Sequence, residues 1–313
     1  MGYGGMTMMS ILLSFILFFL PQIIYGQELI ATTKGLLYGT ALYIYKNDSS
    51  KKVFEETNWI CQNNNIKSTP DGSYLGAIAR TRELVKDEKG NEYIGHMLLI
   101  FNPTGKLLKT LQNVIMFAWS PDCKQIVYIE AKGDLEDYYY LIPKTLKTYQ
   151  IVTDKIISFY PGAYKDIAWA NHDSMIYYTD LHNVYKINPH NKEKVKVDYH
   201  GIYFSSDGKY YFNLGYEAPL KLYESKTNLE IKIGDIDEDI LSFGRWIDKY
   251  ILVVGHVYDE KKIIDVRNGE AIIWFTGEMF GYNSKTKEIY VYKDKKIFKE
   301  LDDSKIQKIN IPR

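Results

Sequence analysis

The chain has 313 residues, with 39 basic and 39 acidic side chains and a formal net charge of +0. A neutral, mixed surface without runs of like charge excludes the basic footprint that nucleic-acid binding requires. Aromatic residues reach 15%, including 28 tyrosines. That bias suits half-buried strands, and no sustained helical i, i+3, i+4, i+7 pattern follows the first 26 residues.

In chain order, the first predicted element is a targeting segment. Residues 1–26, MGYGGMTMMSILLSFILFFLPQIIYG, carry an apolar stretch over 11–20 and then Pro21, ending in the small Gly26. The pattern is that of a secretory signal peptide cut before Gln27. An uncleaved membrane anchor is the competing reading, because residues 6–25 approach the length needed to span a bilayer. Both place the body outside the cytoplasm, secreted or in the periplasm and cell envelope. Cleavage would leave no inserted segment.

From residue 27 onward one unit recurs. KSTPDGSYLGAIA starts at Lys67, AWSPDCKQIVYIE at Ala118, AWANHDSMIYYTD at Ala168 and YFSSDGKYYFNLG at Tyr203. Weaker copies are RWIDKYILVVG at Arg245 and GYNSKTKEIYVYK at Gly281. Each joins an aromatic or apolar residue, a polar turn and a strand rich in Tyr, Ile and Val. Asp can bond the backbone two residues on, Pro presets φ, and Gly supplies the positive φ that closes such a turn. The turn positions Asp71, Asp122, His172, Asp207, Asp248 and Ser284 lie 42.6 residues apart on average, the length of a four-stranded propeller blade. Strands such as QIVYI are apolar on both faces, as expected where each sheet packs between two others. The expected fold is therefore an all-β propeller of four-stranded antiparallel blades. Residues 27–313 divide into seven units of 41 residues, and six longer units are the alternative.

The WSPDG-K-apolar-Tyr pattern of these turns resembles the WD40-like (PD40-type) repeat of the periplasmic protein TolB. It is similar also to the propeller domains of prolyl-oligopeptidase-type and dipeptidyl-peptidase-type hydrolases. The resemblance covers the propeller alone. It implies neither TolB's additional N-terminal domain nor a peptidase domain, and no G-x-S-x-G nucleophile elbow occurs.

No catalytic, cofactor-binding or metal-binding residue is assigned from the sequence. Cys61 and Cys123 fall on opposite faces of the expected disc, Cys61 on a linker between blades and Cys123 in an inner turn, so a bond between them is not expected. Cys123 takes the place of Gly72 and Gly208 and should be an unpaired thiol in a strained turn. His96, His172, His182, His190, His200 and His256 show no H-x-x-x-H or H-E-x-x-H spacing. The acidic stretches GDIDEDILSF and ELDDSK read as solvated linkers. Residues 80–95, RTRELVKDEKGNEYIG, form the longest insertion within a blade and are the candidate partner-contacting loop. The functional expectation is a non-catalytic, monomeric module that binds a protein or peptide through one face. A hydrolase or lyase with metal or acid–base groups at the central channel is the alternative.

Overall fold

The computed structural model describes residues 30–33, 38–39, 41–46, 49–56, 58–86, 90, 92–131, 144–180, 183–213, 220–233, 243–247, 249–255, 260–283, 286–293 and 303–311. The proposed signal segment, His182, His256 and the turn positions Asp248 and Ser284 lie outside these residues. So does nearly all of GDIDEDILSF.

The fold is an all-β propeller. Among the described residues, small antiparallel sheets follow one another in chain order. The first has three strands, Ile30–Thr33, Ala41–Lys46 and Ser49–Glu55. The second is built on the inner strand Trp59–Ser68, followed by Leu75–Thr81, His96–Phe101 and Leu107–Gln112. The third runs Val114–Trp119, Gln125–Ala131, Lys144–Gln150 and Lys155–Gly162. Four-stranded sheets then start at Asp166–Trp169, Tyr203–Phe204 and Phe243–Trp246. The last sheet has Glu278–Asn283, Glu288–Tyr292 and Ile306–Asn310. Six blades, from the second sheet onward, open with the recurring inner hairpin. The first sheet sits between the last blade and the second sheet, because Ile30–Thr33 lies against both Glu278–Asn283 and Trp59–Ser68.

The core is divided into layers between consecutive sheets. Ile78, Leu98 and Ile100 of the second sheet pack on Phe117, Ile126 and Tyr128 of the third. Val127, Ile129 and Leu146 of the third pack on Ile167, Ile176 and Tyr178 of the fourth. This is why the strand QIVYI is buried on both faces, with Ile126 and Val127 both at 0% exposure. Each such side chain contributes about 1.5–3 kcal/mol on burial. Gly76 permits the closest approach of the second and third sheets: a Cβ there would lie 2.6 Å from the Phe117 ring.

Two buried lysines tie blades to the linkers that follow them. Lys144 Nζ donates to the Tyr164 carbonyl and Lys261 Nζ to the Gly277 carbonyl, each at 2.8 Å. Lys144 and Lys261 both stand at or near the start of their blade's third strand, and each reaches the chain just before the next inner strand.

Candidate functional site at the channel mouth

The inner hairpins share one construction. Ser120 Oγ accepts the Gln125 N–H at 2.9 Å and donates to Asp122 Oδ1 at 2.6 Å. Asp122 Oδ1 in turn accepts the Lys124 N–H at 3.1 Å. Ser205 and Asp207 repeat all three bonds, and Thr69 with Asp71 repeats the backbone-directed ones. The hydroxyl residues are buried but fully satisfied, so burial carries no penalty. In the fourth sheet the bonding carboxylate is Asp173, which accepts the Met175 N–H, and not the group at His172, where the repeat spacing puts the turn position. The positive φ moves with it, to Ser174.

These turns fix a common register. Lys67 pairs with Gly76, Ala118 with Val127, Ala168 with Tyr177, Tyr203 with Phe212, Arg245 with Val253 and Gly281 with Tyr290. All six occupy the position two before the hairpin turn, at the turn-side end of the inner strand. Three are small, Ala118, Ala168 and Gly281. The other three are Lys67, Tyr203 and Arg245; the Arg245 charge acts on Lys67, and Tyr203 bonds Asp166 of the preceding sheet.

Lys67 is exposed to solvent, yet protein encloses its ammonium. Lys67 stands on the inner strand of its sheet, which turns it toward the axis of the ring. Desolvation pushes its pKa below the usual lysine value, the Asp166 carboxylate opposes that shift, and the Arg245 guanidinium adds to it. The ammonium donates to the Phe117 carbonyl at 3.0 Å and lies 5.4 Å from the Phe117 ring centroid. Asp166, one layer deeper on the fourth sheet, accepts a hydrogen bond from the Tyr203 hydroxyl. The Ile167 N–H also donates to Asp166, at 2.8 Å. Burial raises the Asp166 carboxyl above the usual carboxylate range despite the Tyr203 bond, the Lys67 charge, the Ile167 N–H and the Lys165 charge. Burial likewise holds the Tyr203 phenol neutral, reinforced by the Asp166 charge.

The backbone frame of this cluster is set by two tryptophans. Trp119 Nε1 donates to the Lys67 carbonyl and Trp246 Nε1 to the Tyr203 carbonyl, both at 2.8 Å. Each indole thus bonds the main chain of the preceding blade at an axial residue. An added strand, Tyr38–Gly39, pairs with Cys61 and Gln62 on the axial edge of the second sheet. That pairing lies toward the linker side, leaving Lys67 on the turn side.

The insertion at 80–95 is a folded arm. Val85–Lys86 and Glu92–Tyr93 pair as a two-stranded hairpin between the second sheet's middle strands. Its base is fastened where the Thr81 N–H donates to the Gly95 carbonyl and the Gly95 N–H to Thr81 Oγ1, both at 2.9 Å. Leu84 stands 46% exposed beside the arm, and Lys86 and Glu92 form an exposed ion pair at 3.4 Å.

The remaining candidates separate. Cys61 lies within the inner strand Trp59–Ser68 and not on a linker, because the polar run 62–65 continues the strand instead of ending it. Both thiols are free and buried. Burial pushes Cys61 up to about 12 and Cys123 up to about 11, so neither is an activated nucleophile. Cys123 has φ 59, beside φ 71 at Gly72 and φ 70 at Gly208, which places it in the strained turn position. His172 packs on Phe204 with ring centroids 4.8 Å apart, and His190 sits in an exposed turn. Among the described residues, no three His, Cys, Asp or Glu side chains are grouped to hold a metal ion. Among the same residues no helix is long and apolar enough to cross a membrane. The fold defines the class, a β-propeller. No family model matches the chain, and no match is found among curated proteins.

Proposed function

We propose that this propeller is an extracytoplasmic binding module, without catalysis, that engages a protein or peptide through the linker-side face of the disc. The observation that carries this reading is the arm at 82–94. It is paired, anchored through Thr81 and Gly95, and presents Leu84 beside mixed charges. A solvated loop needs neither the pairing nor the anchor, whereas a contact element gains by being preordered before binding. The neutral, mixed surface fits a protein partner better than a polyanion. The resemblance of the turns to the TolB repeat supports the periplasmic setting, and it rests on the turn residues alone.

The test compares the wild type with a variant in which residues 82–94 are replaced by an Asn-Gly turn. Both are cross-linked in the native envelope or secreted fraction and the captured proteins identified. The expected result is loss of specific partners from the variant at unchanged circular dichroism. An identical set of partners would overturn the reading.

A second reading, acid–base chemistry at the axis, draws on the raised Asp166 carboxyl and its Tyr203 partner. Asp166 is held by donors on two sides, which suits a structural or binding role.

A further inference from the structure

Each sheet ends at the rim in an outer strand, and an exposed strand edge pairs with other chains unless lysine, proline or shortness guards it. Among the described residues, nearly every outer strand is guarded in this way. Lys51, Lys109, Lys155, Lys194 and Lys308 stand on those of the first, second, third, fourth and last sheets. The fifth sheet's outer strand, Glu230–Ile231, has only two residues. The exception is Glu270–Thr276 of the sixth sheet, EAIIWFT, which runs for seven residues without a lysine or proline. It pairs with Glu260–Asp265 and, among the described residues, has no strand on its other side. The register skips Ile272, and such a bulge is itself a partial guard. The second and third sheets combine a bulge with a lysine, so half of their protection is missing here. Glu270, Ile272, Trp274 and Thr276 are exposed, while Ile273 and Phe275 pack toward the last sheet. Trp274, 51% exposed, is the one exposed tryptophan of the chain's five. Its register partner Lys262 places the ammonium 3.8 Å from the centroid of its ring, which holds the indole in place before any partner arrives.

We propose that Glu270–Thr276 pairs antiparallel with the same strand of a second copy of this chain, joining two propellers rim to rim about a two-fold axis at Ile273. Charge selects the direction. Glu270 is the strand's one charged residue and stands at its first position. Parallel pairing would set two Glu270 carboxylates side by side, which is destabilising, whereas antiparallel pairing sends them to opposite ends of the contact. Centred on Ile273, the register puts each Glu270 opposite a Thr276 and each Ile272 opposite a Trp274, a cross-strand pair of β-branched and aromatic side chains. That self-complementarity favours a second copy over a foreign strand. Because both copies use the same patch, the contact closes as a dimer and does not propagate. The dimer departs from the monomer expected from the sequence.

A contact of one strand edge is small and correspondingly weak, so the full chain is followed by sedimentation velocity from about 1 to about 200 μM. The expected result is a shift from monomer to dimer with concentration. Hydrogen exchange at the amides of residues 270–276 should slow in the concentrated sample. Ile272→Lys supplies the missing guard and Trp274→Thr removes the indole. Each should weaken dimerisation by about tenfold or more at unchanged circular dichroism. Val152→Lys, on an exposed turn of the third sheet, should leave dimerisation as it is. The proposal is overturned by a monomer at every concentration, by a dimer that both edge variants retain, or by assemblies that keep growing beyond two copies. A monomer whose 270–276 amides are protected only by an added extended peptide, Thr-Val-Thr-Val-Thr-Lys, would assign the edge to a foreign strand and overturn it as well. The arm lies on the second sheet and this edge on the sixth, so failure here leaves the linker-side reading standing.

Discussion

Trp119 donates its indole N–H to the main-chain carbonyl of Lys67, 2.8 Å away and 52 residues earlier in the chain. Trp246 does the same to Tyr203 at 2.8 Å, so one interblade bond is used twice around the ring, each time at an axial residue. Trp119→Phe keeps an aromatic ring but leaves that part-buried carbonyl without its donor. The expected cost is about 1–3 kcal/mol in chemical denaturation. Trp246→Phe should behave alike. No measurable loss in either would show that the indole bond is incidental.

Cys123 occupies a left-handed turn position that its sister repeats give to glycine. Cys123→Gly relieves that conformation while removing a small buried side chain, and stability should change by less than about 1 kcal/mol. Cys123→Val puts a β-branched residue at φ 59 and should cost at least about 1–2 kcal/mol. Equal stability of the two variants would contradict the turn geometry.

His96 is mostly buried, with Nδ1 3.0 Å from the Ile94 carbonyl. Burial depresses its pKa from 6.5 to about 4, the Ile94 contact opposing and the Arg80 charge assisting. The folded state therefore resists charging this imidazole. Its contribution to stability is fully present above pH 6.5 and is lost as pH falls toward 4. Thermal unfolding across this window should show a decline that His96→Leu removes. A parallel decline in the variant would place the acid sensitivity elsewhere.

Asp166 works in the opposite sense. Its folded pKa is raised, chiefly by burial, so the native state binds the proton more tightly than the unfolded chain. Stability then falls as pH rises from the ordinary aspartate value, about 3.9, through the folded value. Asp166→Asn can still accept the Tyr203 hydroxyl bond without the ionisation. It should unfold at a higher temperature than the wild type at neutral pH, with the difference shrinking in acid. A variant less stable at neutral pH would show that the ionised carboxylate, paired across the axis, is worth more than its desolvation costs.

The blades were legible because the turn chemistry is local. Ser120, Asp122 and Gln125 make their bonds within six residues, so spacing and residue type suffice to place the hairpin. The shift from His172 to Asp173 was not legible, because both offer a polar group and only backbone φ decides which one bonds. Cys61 was misplaced since polar Gln62, Asn63, Asn64 and Asn65 read as loop, yet they belong to the strand Trp59–Ser68. A register shift between Cys61 and Ile66 absorbs part of that stretch. The strand Tyr38–Gly39, donated to the next sheet's axial edge, leaves no local signal in two residues. The axial cluster was missed for a related reason: Lys67 and Asp166 meet only once the ring has formed. A signal existed, however. Reading down the position before the repeat's aromatic or turn residue gives Lys67, Ala118, Ala168, Tyr203, Arg245 and Gly281, and the charged members stand out from the small ones.

Lys67 and Asp166 act on each other across the ring, and the Asp166 carboxyl reports that interaction most directly. Its titration can be followed by carbon-13 resonance in the wild type and in Lys67→Met. The expected pKa lies above the ordinary aspartate value and rises further when the Lys67 charge is removed from 99 residues away. An ordinary or lowered value that Lys67→Met leaves unchanged would contradict it.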